Sequence, residues 1–386
     1  MSALIEGSWK DARTIAANSF EVLPAENIDV IHGADRALAT DALALCDLPT
    51  YATSAMDGYA VAGQGPWTIV GEVKAGVPMK SELALGTAVG IATGAVIPVG
   101  TLGVIRWELA QLHKNMLEGV VTRDQEIRPP AHECKFGDLL ISAGTKLNPG
   151  SIGLLAAAGI DFINVVRKPR IALVLLGDEI QLTGVPSNGL VRDALGPQLP
   201  GWIHKLGAEI ISTQYIADKL ELVVEALEKA CTVADIVMTT GGTAQGPRDY
   251  LHEALAAINA HILVDTVAVR PGHPMLLARV GRSAILGLPG NPQSAIVALA
   301  SLGAPVIASM LGQQQHELPT VITRNELTAP EDFTRLIIGN LVDGQFEVGQ
   351  YLGSAMLRGL AHSTGFAVVV KSITAPGELV RWLSLP

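Results

Sequence analysis

The sequence predicts a multidomain α/β protein. An α/β/α sandwich is joined to a helical domain that carries a β-rich insertion, and a small C-terminal β domain closes the chain. Three observations lead there. Continuous aliphatic runs alternate with helical periods between residues 169 and 312, as in a parallel sheet covered on both faces. Short β-type runs separated by Gly/Pro turns fill 49–144. After residue 313 the pattern turns to short strands around a hairpin signal, Asp343-Gly344.

The elements follow in order. Residues 8–19 show amphipathic helical spacing, and 34–45 alternate acidic and apolar side chains at the same period, so both are expected to be helices. Strands are expected at 67–73, 88–91, 103–107 and 119–123. A helix follows over 148–159, opening after Pro149. The segments flanking the insertion share composition. Residues 1–48 and 145–168 therefore read as one discontinuous domain interrupted by 49–144.

The sandwich, 169–312, opens with a buried strand at 170–176. A helix at 196–206, a strand at 209–215, a helix at 220–231, a strand at 234–239 and a helix at 249–258 come next. Strands near 262–269 and 283–287 complete it. Ligands in such folds sit at the carboxyl ends of the strands, which here carry Gly177-Asp178-Glu179, Gly241-Gly242 and Gly290-Asn291. In the last domain, 313–386, strands at 336–340 and 345–348 flank the hairpin turn, with others at 366–371 and 379–385. Residues 313–318 read as a hinge before it.

Composition narrows the function. The chain has 386 residues, is 49% hydrophobic and 17% charged, and so is globular rather than disordered. A net charge of −10 with no Lys/Arg cluster argues against a nucleic-acid partner. Cys46, Cys134 and Cys231 are odd in number and far apart, which fits a reducing cytoplasm and no disulfide framework or zinc site. No signal peptide is visible at the N-terminus. Residues 283–315 carry no formal charge, but Pro289, Asn291, Pro292 and Pro305 interrupt them, so buried elements are expected there and not a membrane span.

Two proline-clamped loops stand out, Pro271-Gly272-His273-Pro274 and Pro289-Gly290-Asn291-Pro292. Each is a turn with little freedom. The second feeds an apolar helix, 294–300, whose free N–H groups and dipole favour an anion. By themselves such loops are ordinary turns. Acidic motifs elsewhere strengthen a ligand role.

Taken in order, Ser54-Ala-Met-Asp57-Gly58-Tyr59, Thr93-Gly94-Ala95-Val-Ile-Pro98, Gly177-Asp178-Glu179, Gly241-Gly242 with Asp249, and the two proline loops resemble the MoeA family. These are the molybdopterin molybdenumtransferases, which include the gephyrin E domain. The resemblance implies a sandwich of the molybdopterin-binding type, insertion of molybdate into adenylylated molybdopterin with Mg2+ and release of AMP, and a homodimer. Molybdopterin adenylyltransferase would be the upstream donor. A divalent cation suits this chemistry because carboxylates alone repel both the pyrophosphate and molybdate.

The resemblance carries over catalytic roles for Asp57, Thr93, Asp178 and Glu179, and for Glu133, which stands where the family has an Asp. Metal roles fall to Glu179, Asp218 and Asp249. Substrate contacts fall to Gly241, Gly242, Thr243, Gly246, Arg270, His273, Pro289, Asn291, Arg335 and Ser354. Each residue type has a plainer reading beside this one. Asp57 fits a tight turn, Thr93 a turn hydroxyl, and Glu133 a solvated surface acid. Asp178, Asp218 and Asp249 fit helix caps, the glycines bare turns, and Arg335 a charge at a strand end. Asp178 and Glu179 follow a buried strand, where acids are costly unless used or paired.

Several positions depart from the family pattern. Leu176 stands for a Thr, Thr243-Ala244-Gln245 for Val-Ser-x, Ala194-Leu195 after Asp193 for Ser-Asn, His273 for a Lys, and Thr266 for another Lys. Arg270 replaces a Lys and keeps the charge with a planar fork suited to oxyanions. At about 1.5–3 kcal/mol per hydrogen bond to a charged group, such losses would weaken anion binding. Two alternatives therefore stay open beside the transferase: a paralogue that carries or senses molybdopterin or its nucleotide, and a dimeric scaffold. Neither a P-loop nor a dinucleotide fingerprint occurs, which argues against an ATPase or a dehydrogenase.

Overall fold

The computed structural model describes residues 3–243, 249–313 and 317–385. Gly246 and the centre of the 313–318 hinge lie outside them. The chain divides into two compact units, one of residues 1–26, 35–39 and 165–386, the other of 27–34 and 40–164.

The larger unit is built on a parallel sheet. Its strands run in the order Glu209–Ile216, Arg170–Leu176, Ile236–Thr240, Ser283–Leu288, all parallel. Leu276–Val280 and His261–Arg270 extend it by antiparallel pairing. Alternate side chains of the first strands enter different cores. Ile171 and Leu173 pack with the helix Leu195–Lys205 and the N-terminal helix Trp9–Asn18. Ala172 and Val174 pack with the helices Leu220–Cys231 and Leu251–Ala257. That two-sided burial is why the strands read as unbroken aliphatic runs, and it makes an α/β/α sandwich.

Pairing then continues beyond the sandwich. Val269 and Arg270 lie parallel to Thr334 and Arg335. This places Arg335 beside Arg270 at the start of Thr334–Val342, which turns through Asp343-Gly344 into Gln345–Val348. Both turn residues have positive φ, 51° and 74°, as the primed hairpin turn requires. Gly365–Val369, Leu379–Ser384 and Thr320–Ile322 complete this sheet.

The uncharged stretch after Asn291 is helical from Pro292 to Met310, and 83% of its most apolar window is buried. It contains a π turn at Leu299–Gly303 just before Pro305. Arg13 donates to the carbonyl of Ala300 there, and the Trp9 indole donates to Ser301 Oγ, each at 2.7 Å. It is a core helix.

The smaller unit holds a six-stranded sheet around Gly58–Val61, Trp67–Val73, Thr87–Ile91 and Gly103–Arg106. It also holds the helix Pro149–Ala157, opened by an Asn148–Ser151 capping box.

Two expected elements do not form. Residues 34–45 are not a helix: Asp35 takes a left-handed φ of 64°, and Ala42–Leu43 pairs with Leu139–Ile141 instead. Strand pairing overrides the Ala/Leu helix propensity of that segment. Residues 119–123 are not a strand, because the pairing partner of Trp67 and Thr68 is Met116–Glu118 just before them. Left-handed residues Asp124 and Glu126 then turn the chain.

Candidate functional site

The carboxyl ends of all four parallel strands of the larger unit meet around one cavity of about 790 Å3. Leu176 leads into Gly177 and Glu179, Ile216 into Asp218, Thr240 into Gly241-Gly242, and Leu288 into Pro289-Gly290-Asn291. Asp249 also lines it. Gly241 and Gly242 both have positive φ, 81° and 68°. The turn therefore needs glycine, and the backbone is left uncovered toward the cavity. Thr243 lines the same space but is only 4% exposed, its methyl facing the position of Gly287.

Asp178 and Glu179 are exposed to solvent, so the desolvation cost expected from the sequence does not arise. Asp178 and Asp218 brace each other. Each backbone N–H donates to the other's carboxylate, at 3.4 and 3.3 Å. The N-cap positions of the helices after Asp218 and Asp249 are Lys219 and Tyr250, neither of which makes a side-chain cap bond.

Asp193 does cap. Its Oδ1 accepts from the N–H groups of Leu195 and Gly196 at 3.0 Å, and its Oδ2 accepts from the Tyr215 hydroxyl at 2.9 Å. Burial, followed by this bond to Asp193, raises the pKa of the Tyr215 phenol.

A second cavity of about 590 Å3 shares Pro274 with the first. Arg270, His273 and Arg335 line it with Ser294 and Ser354. Arg335 donates to the Thr328 carbonyl and hydroxyl at 3.1 and 3.2 Å. Phe333 stands between the other two: the Arg270 guanidinium lies 5.0 Å from its ring centre, and the His273 ring 5.6 Å from it. Glu6 comes within 3.6 Å of His273. Thr266 is occupied locally, accepting from the Glu6 N–H and donating to the Asp265 carbonyl. An arrangement of two guanidiniums, an imidazole and two hydroxyls suits a small oxyanion.

Asp57, Thr93 and Glu133 belong to the smaller unit. Asp57 Oδ1 accepts from the Thr93 N–H at 2.7 Å, so these two are together. Gly58 follows Asp57 because a Cβ there would lie 2.1 Å from the Ile105 carbonyl oxygen. Glu133 lies on a different, exposed loop, its N–H donating to Leu48. Gly246 lies outside the described residues.

Sequence reasoning missed Arg192, which lines the strand-end cavity, and also Ser294, Phe333 and Gln293. Arg192 directly precedes Asp193, and Phe333 lies two residues before Arg335, so both stand beside a residue that the sequence marked. Gln293 had none.

Residues 7–159 match the family described as MoeA N-terminal region (domain I and II), and residues 172–309 match one described as probable molybdopterin binding domain. A molybdopterin molybdenumtransferase of Haemophilus influenzae is 30% identical over 364 residues, covering 89% of this chain and 89% of that protein. One from Nostoc sp. is 31% identical over 387 residues, covering 94% and 89%. The crystal structure of a molybdopterin biosynthesis MoeA protein from Pyrococcus horikoshii OT3 superposes with a TM-score of 0.82 at 23% identity, over 98% of this chain and 100% of that one, a likeness of fold.

Proposed function

The chain belongs to the MoeA family of molybdopterin molybdenumtransferases, and from that membership we propose that it inserts molybdate into adenylylated molybdopterin with release of AMP. It is a transferase of molybdenum cofactor biosynthesis. The observation that carries the finer reading is the adjacency of two unlike cavities in one unit. One presents Arg270, His273, Arg335, Ser294 and Ser354 to an oxyanion. The other gathers the strand ends and the Gly241-Gly242 turn, as expected for a nucleotide pyrophosphate.

In this reading molybdate enters the cationic cavity and the adenylyl end of the other substrate lies against the strand ends. Arg270 and Arg335 hold the oxyanion by charge-assisted hydrogen bonds. The backbone at Gly241 and Gly242 approaches the phosphates. Asp178 and Asp218, braced against each other, keep the mouth of the cavity fixed. Asp57, Thr93 and Glu133 retain the catalytic roles carried over by family resemblance, and the four-part domain layout is retained with them.

Mg2+ is part of the proposal. Glu179, Asp218 and Asp249 line the strand-end cavity, although among the described residues no three His, Cys, Asp or Glu side chains form a preformed metal cluster. Mg2+ is usually held by one or two carboxylates together with waters and substrate phosphates, so this donor set fits it. When bound it would neutralise the pyrophosphate and polarise its phosphorus.

A homodimer is proposed as well. Leu43 and Leu139 face each other in one strand pair of the smaller unit and are 47% and 54% exposed, with Leu45 and Phe136 exposed beside them. Such apolar exposure suits a second copy. A cytoplasmic enzyme receiving its substrate from molybdopterin adenylyltransferase completes the reading.

Single turnover tests it. Protein, adenylylated molybdopterin, Mg2+ and molybdate are mixed, and AMP release and active cofactor are followed. AMP release that depends on molybdate is expected. Tight binding without AMP release would make the protein a carrier or regulator, and no binding would leave a scaffold.

A further inference from the structure

The two cavities share a wall, the segment 351–357, of which the family resemblance marks Ser354. Leu352 and Ser354 line the oxyanion cavity, while Ala355 and Leu357 line the cavity at the strand ends. One residue of the sandwich holds this segment. Gln293 is 1% exposed in the first turn of Pro292–Ala298. Its backbone N–H donates to the Ser354 carbonyl at 3.0 Å. The end of its side-chain amide lies 3.1 and 3.2 Å from the carbonyl oxygens of Leu352 and Gly353, where only the amide nitrogen can donate, so the hydrogen-bonding pattern assigns the nitrogen to that side. In that orientation one residue meets three successive carbonyls.

The neighbours of Gln293 in the helix divide between the cavities, Pro292 lining one and Ser294 the other. A buried amide without partners is costly, so helix and segment are locked in one arrangement. Leu352, Met356 and Leu357 are each more than 40% exposed, so the segment itself buries little, and its further anchor is Leu360 in the short helix that follows.

We propose that Gln293 is a positioning residue for the transfer reaction, one that sets the walls of both substrate cavities at once by pinning 351–357. Gln293 lines neither cavity. Its effect is transmitted through Ser354 on one side and through Ala355 and Leu357 on the other. The proposal rests on the reading of these cavities as the oxyanion and nucleotide subsites.

Gln293→Met keeps the length of the side chain and removes both amide donors. KM for molybdate and KM for adenylylated molybdopterin are each expected to rise about tenfold, without a matching fall in kcat. Arg335→Ala serves as the control for the cavity reading and is expected to raise KM for molybdate alone. If Arg335→Ala weakens molybdate but Gln293→Met changes only one constant or neither, the shared-wall proposal is overturned and the cavity reading stands. If Arg335→Ala leaves molybdate unaffected, the cavity reading fails and the proposal falls with it. Hydrogen exchange on the unaltered protein does not depend on any variant folding. Amides of 351–357 are expected to slow with molybdate alone and with AMP alone, and slowing by only one of the two would overturn the shared wall.

Discussion

An imidazole at position 273 gives the oxyanion cavity a weaker hold than an ammonium would. His273 is packed against Phe333, and its Nε2 lies 3.6 Å from a Glu6 carboxylate oxygen. Glu6 therefore competes with any incoming anion for the same ring. A lysine keeps its charge across the physiological range and reaches further. His273→Lys is expected to tighten molybdate about tenfold, less than a full charge-assisted hydrogen bond supplies because Glu6 still competes. Titration calorimetry with molybdate checks it, and equal or weaker binding would remove this position from the anion cavity. At this scale the sequence marked the two arginines that line the cavity. Arg270 and Arg335 are far apart along the chain, yet motif and charge marked both. It did not show Gln293, because a glutamine in a helical run carries no sign of the three carbonyls it meets.

Single elements are held by local chemistry that can be tested one bond at a time. The helix Leu195–Lys205 begins on Asp193, whose carboxylate takes two backbone N–H groups and the Tyr215 hydroxyl. Asp193→Ala removes the cap and is expected to cost about 1–2 kcal/mol in urea unfolding. The start of the strand Ile236–Thr240 depends on Asp235. Arg167 clasps this carboxylate with both terminal nitrogens, at 2.6 and 2.7 Å, and the Arg170 N–H adds a third bond at 2.9 Å. Burial works to raise the Asp235 pKa, but these bonds outweigh it and lower it below the ordinary carboxylate value. A carboxylate lowered in the folded state stabilises fully above its unfolded pKa of about 3.9, and that contribution is lost as pH falls through the folded value. Acid unfolding of the unaltered protein should therefore steepen below pH ~3.9, and Asp235→Asn should flatten that limb. Elements with strong periods, such as 170–176 and 220–231, were legible because their own side chains determine them. The segment 34–45 was not, because its helix propensity yields to a strand pairing with residues about a hundred positions later, which no local window contains.

At the scale of the whole molecule, each unit has hydrophobic clusters of its own. The sandwich and the C-terminal sheet bury theirs around Leu173, Val174 and Phe346. The smaller unit buries its own around Val89, Ile105 and Cys134. A core that is complete within one unit can melt without the other, so heating is expected to give more than one calorimetric transition. Both cavities lie wholly within the larger unit. A ligand stabilises only the species that binds it, by about 2.7 kcal/mol at a hundred times its dissociation constant. Molybdate at that excess should raise the transition of the larger unit and leave the other in place. Hydrogen exchange at Ile171–Leu175 and at Val104–Ile105 assigns the two transitions. A molybdate shift confined to the smaller unit would contradict an oxyanion cavity built from Arg270, His273 and Arg335. A single transition moving as one would show that the units unfold together despite their separate cores.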